Sequence, residues 1–290
     1  MLIVNPLSGR GITRFALGTI VSQLCLSGHI VTIYYTGELM PDQLAYKYAS
    51  EYELVVCVGG DGSISSVVSG LLRSGVSVPI GYIPTGTAND IATTLSLSKV
   101  PSEAVQTVVR GTPRALDIGL FADRYFTYIA AFGAFTSVSY STPQNAKRSL
   151  GHFAYVLSGF AEVPTIKARK TVVNYDGNIV SGDFIFGAVV NSTSVAGFLK
   201  LDPKRVDLSD GMFEIVLVKQ PVDPAAFLDL MASLATQSYE GDNIMLLHAS
   251  RVKFTFEEEE DVAWTVDGED GGRHREVEIT NSYRAVSIIV

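Results

Sequence analysis

Two cysteines in 290 residues, Cys25 and Cys57, give no disulfide framework and no thiolate metal site. One falls in a predicted helix and one in a predicted strand, and both are expected to be buried and reduced. The four histidines, His29, His152, His248 and His274, are scattered without the spacing of a zinc site. No Gly-x-Ser-x-Gly elbow is present, and no glycine-rich loop carries the lysine of a P-loop. There is no block of basic residues and the formal charge is −8, so nucleic-acid binding has no electrostatic footprint. The same charge argues against strong general adsorption to anionic membranes. Lys147-Arg148 and Lys167 with Arg169-Lys170 are local basic clusters, either a small patch or ordinary solvated charge. No run approaches the ~20 apolar residues of a membrane helix. A predicted strand at residues 2–4 leaves no room for a signal peptide, so a cytoplasmic protein is expected. Repeats and low-complexity tracts are absent. The sole charge run, Glu257 to Asp261, lies between two predicted strands and reads as a solvated hairpin loop.

What the chain has in quantity is apolar sequence, 47% of its residues, enough for one large core or two of ordinary size. Residues 1–116 alternate between strands (2–4, 30–35, 54–58, 78–83) and helices (12–26, 41–49, 64–72, 89–95, 102–110). Continuous apolar strands in such alternation predict a parallel sheet covered by helices, with the strand-end loops on one rim. Farther on the texture changes to strands and hairpins: 171–175 and 178–190 around Asp176-Gly177, then 213–218, 251–257, 262–266 and 276–280. Two helices interrupt them, one over 147–161 and one after Asp223-Pro224, an N-cap and N1 pair. This predicts an antiparallel β-rich second domain joined to the first by a continuous strand near residues 114–119. The domains are expected at 1–116, with a returning strand over 283–290, and at 117–282.

Three segments carry chemistry. Gly59-Gly60-Asp61-Gly62-Ser63 stands between a predicted buried strand and a helix. A glycine turn there lets backbone N–H groups approach a phosphate at the positive end of the helix dipole. An acidic residue in such a place repels phosphate unless a cation lies between them, which points to a Mg-nucleotide site. Pro84-Thr85-Gly86-Thr87-Ala88-Asn89-Asp90 follows another predicted strand, and Val266-Asp267-Gly268-Glu269 sets a carboxylate in a tight turn. Phosphoryl transfer needs mainly positioning and charge neutralisation. Ser8, Ser63, Thr85 and Thr87 supply hydroxyls, and Arg10 supplies positive charge. Asp61, Asp117 and Glu269 supply carboxylates for hydrated Mg2+ and for taking a proton from an acceptor alcohol. Each also has a structural reading. Asp61 caps its own helix or turn, Asp117 is a buried hydrogen-bond acceptor at a strand end, Asp210 forms a turn, Glu269 belongs to a hairpin loop, and Asn5-Pro6 makes a post-strand turn. Trp264 reads as a core aromatic.

Taken together, these segments resemble the bacterial diacylglycerol kinase family, soluble lipid kinases related to sphingosine kinases and, more distantly, to NAD kinases and phosphofructokinases. The resemblance runs from Asn5-Pro6-Leu7-Ser8-Gly9-Arg10-Gly11 through both glycine loops and Leu116-Asp117-Ile118-Gly119. It continues with Gly151-His152-Phe153-Ala154-Tyr155 and Leu208-Ser209-Asp210-Gly211-Met212-Phe213, and ends at Val-Asp-Gly-Glu. It implies an α/β kinase domain with a parallel sheet, followed by a β-sandwich-like domain. It also implies ATP- and Mg2+-dependent phosphorylation of a lipid hydroxyl, most simply diacylglycerol to phosphatidic acid. The nucleotide contacts it implies fall on Asn5, Pro6, Ser8, Gly9 and Arg10, on Thr36, on Gly59, Gly60, Asp61, Gly62, Ser63 and Ser66, and on Thr85, Gly86, Thr87 and Asn89. Glu269 matches the general base, and Asp61 and Asp117 match carboxylates around catalytic magnesium. A structural metal matches Asp210, with main-chain oxygens at Asp207 and Met212. A lipid acceptor implies transient visits to a membrane surface, and a homodimer is possible within the family. Phe132, Phe135, Phe153 and Phe198 are candidates for an apolar lipid wall or for core. The chain departs from the family by carrying Thr93 and Ser158 where diacylglycerol-type members often carry Arg and Lys. An NAD kinase and a catalytically silent nucleotide or lipid sensor are the alternatives. The Pro84–Asp90 loop stands where NAD kinases carry an Asn-Thr-Gly loop.

Overall fold

The computed structural model describes residues 1–9, 14–133, 167–195, 199–202, 206–237, 239 and 241–290. These form two compact units, Met1–Ile118 with Ser282–Val290, and Gly119–Asn281.

In the first unit β1 (Leu2–Val4), α1 (Arg14–Leu26), β2 (Ile33–Tyr35), α2 (Pro41–Tyr48), β3 (Val55–Gly59), α3 (Asp61–Ser74) and β4 (Ile80–Pro84) alternate. They are followed by α4 (Asp90–Thr94) and α5 (Pro101–Arg110). The strands lie parallel in the order β2-β1-β3-β4, and residue 288 of the last strand pairs parallel with Ile80. Their side chains alternate between two covered faces, which is why β1, β3 and β4 are buried throughout. Leu2, Val4, Val56, Val58 and Ile83 pack with Ile20 and Leu24 of α1 and with Ala104, Val105 and Val108 of α5. A Cβ on Gly81 would stand 2.8 Å from Val108, so this glycine sets how closely α5 lies on β4. Register matters most for function. Val4 is level with Val58, and Gly59 with Pro84, so the loops after β1, β3 and β4 leave the sheet side by side.

The second unit is antiparallel. The chain enters it within β5 (Pro113–Phe121) and continues through β6 (Arg124–Phe126), β7 (Ile129–Gly133), β8 (Arg169–Tyr175) and β9 (Asn178–Val190). The short pair β10 (Ser194–Val195) and β11 (Leu199–Lys200) precedes β12 (Phe213–Lys219) and α6 (Pro224–Thr236). The chain then forms β13 (Ile244–Ala249), β14 (Arg251–Phe256), β15 (Val262–Val266) and β16 (Glu269–His274), and leaves within β17 (Glu276–Ile289). The main sheet runs β16-β15-β7-β9-β8-β14-β17, and β12 and β13 extend from β9. Phe126, Phe132, Phe184, Phe213, Phe254, Phe256 and Trp264 fill its core. Trp264 lies 5.0 Å from the Phe121 and Phe132 ring centres. Asp176 and Gly177 take φ of 47° and 87°, the left-handed pair that a two-residue hairpin turn requires. The Asp223 carboxylate accepts from the Ala226 N–H at 2.8 Å and caps α6.

The α/β first unit and the antiparallel second are the architecture that the alternation predicts, but several details differ. The segments expected at 276–280 and 283–290 are one uninterrupted strand, and Ile30 is exposed outside β2. The short strands β6, β7, β13 and β16 carry too few residues for a clear period. Glu257 to Asp261 joins β14 to β15, which do not pair, so the run is a connection rather than a hairpin loop. Cys57 is buried, but Cys25 is exposed, because α1 turns that face outward. Phe132 is a core residue, whereas Phe135, Phe153 and Phe198, the helix expected over 147–161 and Ser158 lie outside the described residues.

Glu214 on β12 is buried opposite His248 of β13, whose Nε2 lies 2.8 Å from its carboxylate. Burial pushes the Glu214 carboxyl up to about 7, while the His248 contact pulls the other way. The folded value lies above the unfolded one. Its contribution to stability is therefore fully present below about pH 4.5 and lost as the pH rises through about 7. Glu214→Gln keeps the shape without the charge. It should melt a few degrees above the wild type at pH 8, at about 2–4 °C per kcal/mol for a chain of this size, and level with it at pH 4. An equal shift at both pH values in thermal melts would contradict this.

Candidate functional site

The sequence motifs of the first unit meet at the rim where β1, β3 and β4 end. Thr85 N–H donates to the Gly59 carbonyl at 2.8 Å, and Asn5 N–H to the Val58 carbonyl at 2.9 Å. The Asn5 side chain donates to Ser63 Oγ at 2.9 Å and accepts from the Leu7 N–H at 3.0 Å. Asn89 closes the third loop on itself: its Oδ1 accepts from Gly86 N–H and its Nδ2 donates to the Gly86 carbonyl, both at 2.9 Å. The loops touch backbone to backbone. A Cβ on Gly86 would lie 2.6 Å from the Gly60 Cα, one on Gly60 would lie 3.2 Å from Ser8 Oγ, and one on Gly9 would collide with the Thr85 carbonyl. Glycine is required at these positions by close approach, and Gly9 also has φ of 58°.

Into this cradle open the N-terminus of α3, which starts at Asp61 just after Gly60, and the exposed Thr87. The hydroxyl of Thr85 is buried and has no hydrogen-bond partner among the described residues. A buried donor left so needs an occupant or a water. The first N–H groups of α3 and an unsatisfied hydroxyl in the neighbouring loop together suit an anion such as a polyphosphate.

Asp61 is not in the turn, as the sequence suggests, but is the first residue of α3. Its carboxylate accepts from Ile91 N–H at 3.1 Å and from the backbone of Asn89 and Asp90, so it caps α4 across the cradle. Burial raises its pKa, and those N–H bonds and the charge of Lys99 oppose the rise. Asp117 is fully buried and accepts the Arg284 N–H at 2.7 Å, where Arg284 takes a φ of 48°. Each carboxylate thus has a structural role, but not the one expected: Asp61 caps α4 rather than its own helix, and Asp117 accepts its bond in the middle of β5 rather than at a strand end. Ser66 Oγ accepts from Asp42 N–H of α2 at 3.1 Å, and Thr36 N–H binds the Val4 carbonyl at 3.0 Å. These two serve neighbouring elements. Arg10 lies outside the described residues.

Glu269 belongs to the second unit. The turn is only Asp267-Gly268, with φ of 49° and 80°, and Glu269 is the first residue of β16. Two residues that sequence reasoning missed hold it. Buried Asp267 accepts from Thr127 N–H and Oγ1, Tyr128 N–H and Ile129 N–H, at 2.7 to 3.1 Å. Arg124 pairs with the Glu269 carboxylate and donates to the Asp270 carbonyl at 2.8 Å. Asp267 was visible in the Asp-Gly turn signal, whereas Arg124 had no local signal, because its partners lie 145 and 146 residues away.

Asp207, Asp210 and Met212 share one turn. Ser209 N–H binds the Asp207 carboxylate at 3.0 Å, Met212 N–H binds Asp210 at 2.9 Å, and the Met212 carbonyl accepts Asn281 Nδ2 at 3.2 Å. These are oxygen donors of the kind that hard cations take. Among the described residues no three His, Cys, Asp or Glu side chains cluster as a metal site would.

Residues 1–121 match the family described as the diacylglycerol kinase catalytic domain, and residues 131–288 match the YegS C-terminal NAD kinase beta sandwich-like domain. Among curated proteins, diacylglycerol kinase of Bacillus subtilis (strain 168) is 32% identical, covering 100% of this chain and 95% of its own length. The chain belongs to the diacylglycerol kinase family. Diacylglycerol kinase of Staphylococcus aureus (strain JH9) is 30% identical over 94% of this chain and 86% of its own. A crystal structure of a diacylglycerol kinase from Bacillus anthracis str. Sterne superposes with a TM-score of 0.78 at 20% identity, covering 99% of this chain and 95% of that one, which shows the shared fold. Family membership makes the protein a kinase that phosphorylates an alcohol group. No described helix is long and apolar enough to cross a membrane.

The packing of the cradle predicts opposite effects for two glycines. Gly86→Ala should destabilise the protein by roughly 1–3 kcal/mol in urea unfolding, because its Cβ has no room. Gly18→Ala, in α1 with open space around it, should stabilise it by about 0.5–1 kcal/mol. A neutral Gly86→Ala would mean that the loops are not packed as described.

Proposed function

We propose that this kinase transfers the γ-phosphate of ATP to the hydroxyl of a lipid, with diacylglycerol as the acceptor and phosphatidic acid as the product. The observation that carries the nucleotide half is the three-loop cradle with its orphaned Thr85 hydroxyl. The lipid half rests on the named activity of the relatives.

The cradle's N–H groups, with the Ser8 and Thr87 hydroxyls, bind the phosphates. Asn5, Asn89, Gly9, Gly60 and Gly86 fix the shape that does so. Asp61 and Asp117 are the carboxylates assigned to hydrated Mg2+, which would supply charge neutralisation along the polyphosphate. Asp210, with the main-chain carbonyls of Asp207 and Met212, is assigned to a second, structural Mg2+. Glu269 accepts the proton of the attacking hydroxyl. Its anchors suit a general base, since Asp267 fixes the turn and Arg124 holds the carboxylate until substrate arrives. The α3 and loop N–H groups then stabilise charge on the transferring phosphoryl group without reorganising. The protein works in the cytoplasm and meets its lipid at a membrane surface.

Phosphate transfer from labelled MgATP, with diacylglycerol, monoacylglycerol, sphingosine and a polyprenol in mixed micelles and NAD in buffer, tests the reading. Label should appear in phosphatidic acid, and formation of NADP instead would overturn the choice of acceptor. Asp61→Ala and Glu269→Gln should each cut turnover at least ~100-fold while leaving the protein folded. Full activity in either variant would remove its assigned role.

A further inference from the structure

Besides Mg2+, the phosphates of a nucleotide are commonly held by basic side chains; Arg10, to which the sequence assigns that charge, lies outside the described residues, and the described residues of the three cradle loops include no lysine or arginine. Thr93, on α4, is neutral, and its hydroxyl donates to the Asn89 carbonyl at 3.0 Å. Among the other described basic residues in the first unit, Arg73 in the last turn of α3 is paired with Asp42 of α2, Lys47 lies over the Tyr48 ring at 5.1 Å, and Arg284 lies over the Tyr283 ring at 4.9 Å. Lys99 differs. It sits in the short connection between α4 and α5, and its ammonium donates to the Ala88 carbonyl at 2.8 Å, within the third cradle loop. That single bond leaves two N–H donors of an exposed side chain.

The backbone around Lys99 is fixed. Ser98 Oγ donates to the Glu103 carboxylate at 2.6 Å and accepts the Val100 N–H at 3.1 Å. Glu103 is thereby engaged with Ser98, and Lys99 makes no ion pair among the described residues. Its charge reaches the site, because it acts on Asp61 and opposes the rise in that carboxyl's pKa.

Building on the nucleotide reading above, we propose that Lys99 is a phosphate-binding residue of this kinase, its ammonium poised on the Ala88 carbonyl to contact the nucleotide's phosphate oxygens. The loop tether and the charge are separable. Glutamine at position 99 can still donate to the Ala88 carbonyl but carries no charge, whereas arginine keeps both.

The test is calorimetric binding of MgATP to the full chain, with steady-state kinetics on the same variants. Loss of a charge-assisted contact should weaken MgATP binding about 10- to 100-fold in both Lys99→Gln and Lys99→Ala. Lys99→Arg should restore it to within about threefold, with the KM for the lipid acceptor unchanged in all three. Raising the salt concentration should weaken the wild type more than the Gln variant. Wild-type affinity in Lys99→Gln would overturn this proposal while leaving the nucleotide site standing. Wild-type protein that binds no MgATP would overturn the nucleotide reading and this proposal with it.

Discussion

The first unit depends on a close approach of two backbones. Gly60 and Gly86 face each other with no room for a Cβ on Gly86, and Gly9 is pressed against the same loop. Three parallel strands in register bring these turns together, since Val4, Val58–Gly59 and Ile83–Pro84 end at one level. Side chains at these positions would push the loops apart and scatter the N–H groups. A parallel sheet with covered faces makes the geometry stiff, so the cradle exists before any ligand arrives. Preorganisation of this kind is where phosphoryl transfer gains most, because the donors need not reorient as charge develops.

The carboxylates carry a second lesson. Asp61 caps α4 and Asp117 holds Arg284, so each is part of the scaffold. A buried carboxylate fixed by N–H donors keeps a constant position, which a metal-organising role also requires. Glu269 is arranged differently. It is exposed and held by an ion pair rather than by a cage, while buried Asp267 does the anchoring beside it. An anchored turn with an exposed neighbouring carboxylate suits a group that must exchange a proton.

Much of this was legible in the sequence because the informative residues are local. Gly59-Gly60-Asp61-Gly62 marks a strand-to-helix turn by its neighbours alone, and Asp176-Gly177 fixes a hairpin by its backbone preference. The rest was hidden for physical reasons. Arg124 and Glu269 are 145 residues apart, and no period or spacing links them. β17 reads as two segments because Asn281 to Arg284 interrupts its apolar pattern where the chain leaves one unit for the other. The exposure of Cys25 follows from which face of α1 meets the sheet, a tertiary choice that a weakly patterned helix does not announce. Asn89 shows the opposite case. The sequence suggests it as a nucleotide contact, but its amide is engaged within its own loop, so its effect is on shape.

The most direct test of the central claim, that three loops form one preformed nucleotide site, is backbone hydrogen exchange with and without MgATP. The account predicts that protection rises together over residues 5–9, 59–66 and 84–91, with the second unit's core strands unchanged. Tight MgATP binding that leaves all three segments exchanging at their original rates would place the nucleotide elsewhere and contradict it.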